Sequence, residues 1–271
     1  MPPSKSRSKR HRLSAEDTKP EVVESSPIVV QPSEEPASEQ FIVAPKLDEI
    51  PQLLFVELQK GKPEDVVEAL NRIHDLYYLG DKDDINDPGM KNWENTRRLG
   101  PIGIVVMIMR RWSPNHDIQN MSCSALCNLL YDRSTAKMAL VQCGGVEAVT
   151  SAMKNFPQSE DLQTNACNTL RNTFINLTTN PKVVKDCACC FVEELEGVDL
   201  LVKTMKEFPD NTSILEDCCM VFNNLAACFK QHQDIFIDAG VVEAVAAVQK
   251  KHSNNKDLKE GTKQFMSVMF S

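Results

Sequence analysis

The sequence lacks the long apolar run that a membrane-spanning helix requires. Its longest apolar run, Ile102–Met109, is far shorter than the ~20 residues of such a helix, so we expect no membrane span. Residues 1–12 are polar and basic and no apolar core follows them, so we expect no signal peptide. Ten cysteines without a secretory signal predict reduced thiols in a cytoplasmic or nuclear protein.

The sequence also lacks the motifs of common catalytic and nucleotide-binding sites. His74, His116, His232 and His252 have no serine, cysteine or carboxylate partner at a recognised motif spacing. We expect the segment Gly100–Gly103 to be a turn, and it does not have the pattern of a phosphate-binding glycine loop. We therefore predict no catalytic residues, no cofactor and no enzyme activity. The net charge of −8 argues against nucleic acid as the main ligand of the folded part.

Residues 1–46 differ in composition from the rest of the chain. Six prolines fall within residues 2–36, among Ser, Glu and isolated Val, with no helical or strand periodicity. We predict a disordered tail, basic at first and then acidic. Its basic cluster, with Lys9, Arg10 and Arg12, is a nuclear localisation signal, a contact for an acidic surface or a solvated charged segment.

One motif occurs four times in the remainder. Met109–Pro114, Met153–Pro157 and Met205–Pro209 each follow an apolar run, and Gln249–Ser253 is a degenerate copy. The copies begin 44, 52 and 44 residues apart. A repeat of this length predicts a solenoid of stacked helical units, whose functional site is an extended surface rather than a pocket.

Each repeat contains a short leading helix, such as Ala136–Cys143, and then two amphipathic helices. A turn precedes the first amphipathic helix, and a capping residue precedes the second. The first amphipathic helix has apolar residues at i, i+3, i+7 and i+10, as at Ile102, Val105, Met109 and Trp112, which indicates one buried face. The candidate turn glycines are Gly100, Gly144, Gly197 and Gly240. The candidate capping residues of the second helix are Asn115, Ser159, Asn211 and Asn255.

These segments resemble the armadillo repeat. Gly145–Val149 is similar to its second helix, and Ala125–Leu130, Thr169–Asn172 and Val221–Ala226 are similar to the end of its third helix. The resemblance covers residues 93–271 and, less closely, residues 53–79. It implies an all-α, right-handed superhelical solenoid of about four to five armadillo repeats, with the third helices lining a concave groove that binds protein.

The repeats predict the domain organisation. After the tail, residues 47–271 form the solenoid, with repeats at about 47–92 (divergent), 93–135, 136–179, 180–231 and 232–271 (capping). Eight additional residues after Asn172 predict that the repeat that follows has a longer leading helix or a longer loop. Val268 replaces the asparagine of the last repeat, where other polar substitutions suit a cap.

The third helices provide the candidate partner-binding residues. Positions i+3, i+6 and i+10 point away from the buried anchors, since successive residues turn by ~100°. These positions hold Met121, Ser124, Asn128, Asn165, Asn168, Asn172, Asp217, Met220 and Asn224. An amide side chain both donates and accepts, so Asn128, Asn172 and Asn224 either pair with an extended peptide or hold adjacent repeats in register.

One departure from the family limits the class of partner. In its nuclear-import branch a tryptophan stands four residues before the asparagine, whereas this chain has Ser124, Asn168 and Met220 there. We therefore do not expect recognition of basic targeting peptides by aromatic slots.

The cysteines suggest two interpretations. Cys187, Cys189 and Cys190 are close in sequence, but the paired spacing of zinc modules is absent. Cysteine recurs at the same place in three repeats, at Cys123, Cys167 and Cys219, as a small core residue does. Packing is therefore favoured, and we predict no metal site.

The sequence thus predicts a non-catalytic adaptor that binds a protein or peptide partner in the groove, in the cytoplasm, the nucleus or both. Two alternatives remain: a nuclear transport or chromatin-associated factor that acts through the basic tail, or a regulatory subunit of an enzyme complex.

Overall fold

The computed structural model describes residues 61–77, 100–131 and 133–270. The predictions for the tail, with Lys9, Arg10 and Arg12, and for residues 47–60 and 78–99 lie outside the described residues. All described residues belong to one compact unit, Ala44–Ser271. Within them the regular structure is helical, with twelve α-helices and no strand, and none of these helices has the length and apolarity needed to cross a membrane.

The helices follow the predicted repeat. They are α1 Pro63–Tyr77, α2 Pro101–Arg111, α3 His116–Leu130, α4 Ser134–Gln142, α5 Gly145–Asn155, α6 Glu160–Phe174, α7 Lys182–Glu193, α8 Gly197–Glu207, α9 Thr212–Cys228, α10 Gln233–Asp238, α11 Val241–Lys251 and α12 Lys256–Met269. Short 3₁₀ turns, Leu177–Thr179 and Lys230–His232, precede α7 and α10.

The helices stack in two parallel rows. The third helices α3, α6, α9 and α12 each pack against the next, and α1 packs against α3 at the beginning of this row. The second helices α2, α5, α8 and α11 form the other row, and each also contacts the third helix of its own repeat. Because every unit contacts mainly its neighbours, the prediction of an all-α solenoid of stacked repeats is confirmed.

The predicted caps determine where the third helices begin. In each, the side-chain oxygen of the capping residue accepts a hydrogen bond from the backbone amide three residues later, at 3.0 to 3.4 Å. The four caps are Asn115, Ser159, Asn211 and Asn255. Such a cap satisfies an amide that has no partner within the helix and typically contributes about 1 kcal/mol.

The apolar positions of the repeat form one continuous core. Ile102, Val105 and Met109 of α2 are at most 4% exposed, and the aromatic residue that ends the motif, such as Trp112, is partly buried against the same core. Phenylalanines fill the space between repeats: the Phe222 ring centroid lies 6.1 Å from that of Phe265. Fully burying a side chain of this size stabilises the fold by about 1.5–3 kcal/mol.

The turn before the second helix is left-handed ahead of each of α2, α5, α8 and α11, but glycine does not always occupy it. Gly100, Gly144 and Gly240 have φ between 59° and 75°, whereas Glu196 takes this conformation before α8, with φ 53°. The prediction that Gly197 provides this turn is therefore wrong. Gly197 is instead the first residue of α8, where a β-carbon would clash with the ring of Phe191.

The additional residues after Asn172 lengthen the first helix of the next repeat, as expected. They form the 3₁₀ turn and the 12 residues of α7, compared with 9 residues in α4. Phe191 of α7 packs against Phe174 of α6, with ring centroids 5.3 Å apart. The extra turn of helix therefore adds to the core.

The substitution Gly197→Ala tests this close contact. A methyl group there displaces the fully buried ring of Phe191, and overpacking of this kind costs about 1–3 kcal/mol. We expect the free energy of unfolding, measured with urea, to fall by that amount. Gly103→Ala in α2 is the matched control, since no described atom lies within 4 Å of the added carbon; equal losses in both variants would contradict the close-contact explanation.

Candidate partner-binding groove

The third-helix face is the surface formed by the candidate positions on α3, α6 and α9. Seven of its nine side chains are partly exposed: Met121, Ser124, Asn128, Asn165, Asn168, Met220 and Asn224. Asn172 and Asp217 differ from the expectation of an open face, because they are only 7% and 3% exposed. The structure thus brings the predicted residues together in one row, with two of them beneath its surface.

The asparagines at i+10 make contacts between repeats. The Nδ2 of Asn128 donates to the carbonyl oxygen of His74 in α1 at 3.0 Å. The Nδ2 of Asn172 donates to the carbonyl oxygen of Cys127 in α3 at 3.2 Å. These bonds are the ones expected if the asparagines hold adjacent repeats in register. Binding of a partner by the same side chains stays a prediction.

Asn224 connects α9 to the loop after α6. Its Oδ1 accepts a hydrogen bond from the backbone amide of Asn176 at 3.0 Å, and its Nδ2 donates to the carbonyl oxygen of Met220 at 2.7 Å. Asn176 has φ 57°, a conformation that asparagine tolerates better than most residues. The bond from Asn224 therefore supports an unusual turn at the rim of the face.

A second set of side chains links α3 to α6 nearer the middle of the face. Asn165 donates to Asn120 at 2.8 Å, and the Cys127 thiol donates to the Oδ1 of Asn168 at 2.7 Å. The Oδ1 of Asn168 also accepts from Asn172 at 3.0 Å. Met121, Ser124 and Met220, also on the third-helix face, are partly exposed.

The candidate Asp217 forms an ion pair with Arg171 across α6 and α9. The guanidinium Nη1 lies 3.1 Å from the carboxylate Oδ1. Burial raises the pKa of Asp217 to about 6, although Arg171 opposes the shift, and the nearby Glu216 carboxylate adds to it. The Arg171 side chain remains 38% exposed, so Arg171 presents the pair to the groove.

The capping residues have a second role that sequence reasoning missed. Asn211 also donates through Nδ2 to Glu160 of α6 at 2.8 Å, and Asn255 donates in the same way to Glu216 of α9 at 3.2 Å. Ser159 hydrogen-bonds His116 at 2.6 Å. One side chain thus begins a helix and also ties it to the preceding repeat.

Buried glutamines were also missed. The Nε2 of Gln119 donates to the carbonyl oxygens of Met109 and Trp112, at 2.9 and 3.1 Å. Gln163 makes the equivalent bonds in the next repeat at the same distances. These bonds satisfy carbonyl groups at the end of the second helix. The sequence does contain a signal for these bonds, because a glutamine stands four residues after the capping residue in two repeats.

The cysteine positions agree with packing. Cys123, Cys167 and Cys219 are at most 1% exposed and lie in the core, and burial raises the pKa of the Cys219 thiol to about 12. In the described part of the chain, no three His, Cys, Asp or Glu side chains are placed to hold a metal ion.

The raised pKa of Asp217 predicts a pH-dependent stability. Because its native pKa of about 6 lies above the ordinary 3.8, the native state binds this proton more tightly. The resulting stabilisation is complete below about pH 4 and is lost as the pH rises through 6. Asparagine cannot lose a proton, so the variant Asp217→Asn does not lose this stabilisation. Its free energy of unfolding, minus that of the unmodified chain, should therefore rise by on the order of 2–3 kcal/mol as the pH is raised from one limit to the other. Urea unfolding at several pH values measures it, and a constant difference would contradict the shift.

Comparison with known proteins agrees with this architecture. An engineered protein from the Northeast Structural Genomics Consortium has a TM-score of 0.62 at 18% identity, covering 82% of this chain and 48% of that one. A second engineered protein from the same consortium has a TM-score of 0.53 at 16% identity, covering 82% and 95% of the two chains. At these identities the likeness concerns the fold alone.

The sequence is also similar to a curated relative and to a family model. Protein aardvark from Dictyostelium discoideum is 25% identical over 139 residues, which is 50% of this chain and 18% of that protein. This chain therefore matches less than one fifth of that relative's length. The model of the LRRK2 ARM repeat matches residues 101–269, which is more than half of the chain and includes all helices from α2 to α12. The chain belongs to the LRRK2 ARM repeat family.

Proposed function

We propose that this protein is a non-catalytic adaptor that binds a segment of a partner protein along the third-helix face. The observation that carries the proposal is the uninterrupted row of third helices, whose partly exposed positions bear amide, hydroxyl and thioether groups. Amide side chains offer a donor and an acceptor to the backbone of an extended peptide. Armadillo repeats, the family of this chain, commonly serve protein binding.

The spacing of the row suits an extended segment. Packed helices lie about 8–10 Å apart, so the three steps from α3 to α12 span about 24–30 Å. An extended chain advances about 3.3 Å per residue. A partner segment of about seven to nine residues therefore crosses these four helices, with about two to three residues for each step from one helix to the next.

The contacts between repeats favour a preformed surface. Asn128, Asn172 and Asn224 are each held by hydrogen bonds to backbone groups of neighbouring elements or of their own helix. Side chains held in this way lose little conformational freedom when a partner binds, which lowers the free-energy cost of association. We therefore expect the partner to find the face in its bound geometry.

The alternatives from the sequence concern other parts of the chain or the identity of the partner. A nuclear role through Lys9, Arg10 and Arg12 lies outside the described residues and stays a prediction, as does a cytoplasmic or nuclear location. A regulatory subunit of an enzyme complex would use the same face and differs only in its partner.

Matched arginine substitutions on the two helix rows test the proposal. Ser124→Arg with Met220→Arg places large side chains on the third-helix face at partly exposed positions, and thermal unfolding checks that this variant is folded. We expect this variant, when purified from its native cells, to carry at most about one tenth of the amount of each partner that the unmodified chain carries. Mass spectrometry measures these amounts. A tenfold loss of affinity corresponds to about 1.4 kcal/mol of binding free energy.

The control variant carries the same chemistry on the second-helix row. Ser151→Arg with Ala246→Arg changes two exposed positions on α5 and α11. It should capture the partners as the unmodified chain does. Equal capture by both variants, or a loss confined to the control, would overturn the proposal.

A further inference from the structure

A cleft opens between α9 and α12, next to the α9 end of the third-helix face. Its volume is about 370 Å³, and its apolar floor is formed by Cys219, Met220 and Leu258. Glu216 stands on the α9 side, and Asp257 and Glu260 stand on the α12 side. Arg171 reaches it from α6.

The cleft exists because Gly261 has no side chain. Gly261 lies 44 residues after Asp217, so it occupies the position that Met121, Asn165 and Asp217 fill in the earlier repeats. At two of these positions the side chain reaches the neighbouring third helix: Asn165 donates to Asn120, and Asp217 pairs with Arg171. At α12 the junction is left open.

Packing does not require a glycine at this place. A β-carbon on Gly261 would meet its nearest neighbour, the β-carbon of Cys219, at 3.8 Å, an ordinary contact distance. Its φ is not in the left-handed region, and glycine is a poorer former of a helix interior than alanine. The backbone is held by Asn223, whose Nδ2 donates to the Gly261 carbonyl oxygen at 3.1 Å. Neither sterics nor backbone conformation therefore explains this glycine.

The charges around the cleft are mostly negative. Glu216, Asp257 and Glu260 provide three carboxylates, and none of the ion pairs found among the described residues involves them. The guanidinium of Arg171 is the single cationic group among the lining residues, and it is bonded to the buried Asp217. A ligand that enters the cleft thus meets a net negative field.

We propose that this cleft receives a lysine or arginine side chain of the partner segment, an inference that rests on the proposed function. The aliphatic stem of such a side chain packs on the floor of Cys219, Met220 and Leu258, while its cationic head lies among the carboxylates. This arrangement uses an open glycine position and acidic residues, rather than the aromatic slots that the chain lacks. The cleft sets the charge of one anchor residue and leaves the rest of the partner undefined.

Selection of random peptides displayed on phage against the full-length chain provides the probe. We expect the peptides that bind to share a lysine or arginine, and replacement of that residue by glutamine to weaken binding by about tenfold or more. The variant Asp257→Asn with Glu260→Gln keeps the shape of the cleft but removes two charges. It should weaken the same peptides and reduce the dependence of their affinity on salt.

Gly261→Met fills the cleft, and Gly261→Ala is its matched control. The methionine should weaken the selected peptides by about tenfold, whereas the alanine should leave their affinity within about twofold, since its added carbon makes only an ordinary contact. Thermal unfolding confirms that each variant is folded. If Gly261→Met does not fold, the charge-neutralised variant decides the question.

Several results would overturn the proposal. They are the absence of any binding peptide, a set of peptides with no shared cation, or affinities unchanged by Gly261→Met. Peptides that lose affinity with Ser124→Arg but not with Gly261→Met would reject the cleft and leave the third-helix face as the binding surface. Peptides insensitive to both variants would reject both.

Discussion

The packing of each third helix against the next is the constraint on which the rest of the structure depends. A single repeat leaves an apolar face uncovered, so it is stable only beside its neighbours. The core residues of these helices, such as Leu126, Leu170 and Phe222, are fully buried. The hydrogen bonds between repeats, such as those of Asn128 and Asn172, join specific positions of adjacent helices, so they favour one register between them.

The same requirement shapes the candidate binding surface. The side chains that face the groove lie next to the junctions between helices, so many are used to hold those junctions. Asn165, for example, donates through Nδ2 to the Oδ1 of Asn120 at 2.8 Å, and Asn172 and Asp217 are only 7% and 3% exposed. The accessible part of the face is therefore narrower than the helical wheel suggests, and it consists of the positions between the links.

The features that sequence reasoning found are those determined within one repeat. The caps Asn115, Ser159, Asn211 and Asn255, and the apolar faces of the second helices, follow from local spacing. The features that it missed depend on the neighbouring repeat. Nothing local distinguishes the buried Asp217 from the partly exposed Asn165, since burial follows from the approach of Arg171. Glu196 similarly adopts a left-handed turn that its residue type disfavours.

Methionine oxidation provides the most direct test of the central claim that partners bind on the third-helix face. Met121 and Met220 lie on this face, whereas Met107 lies on α2 in the other row, with 49% of its surface exposed. The chain alone and the chain bound to its captured partner are oxidised briefly, and each methionine is quantified by mass spectrometry. The account predicts that the partner protects Met121 and Met220 while Met107 remains as reactive as before. Protection of Met107, with Met121 and Met220 unchanged, would contradict it.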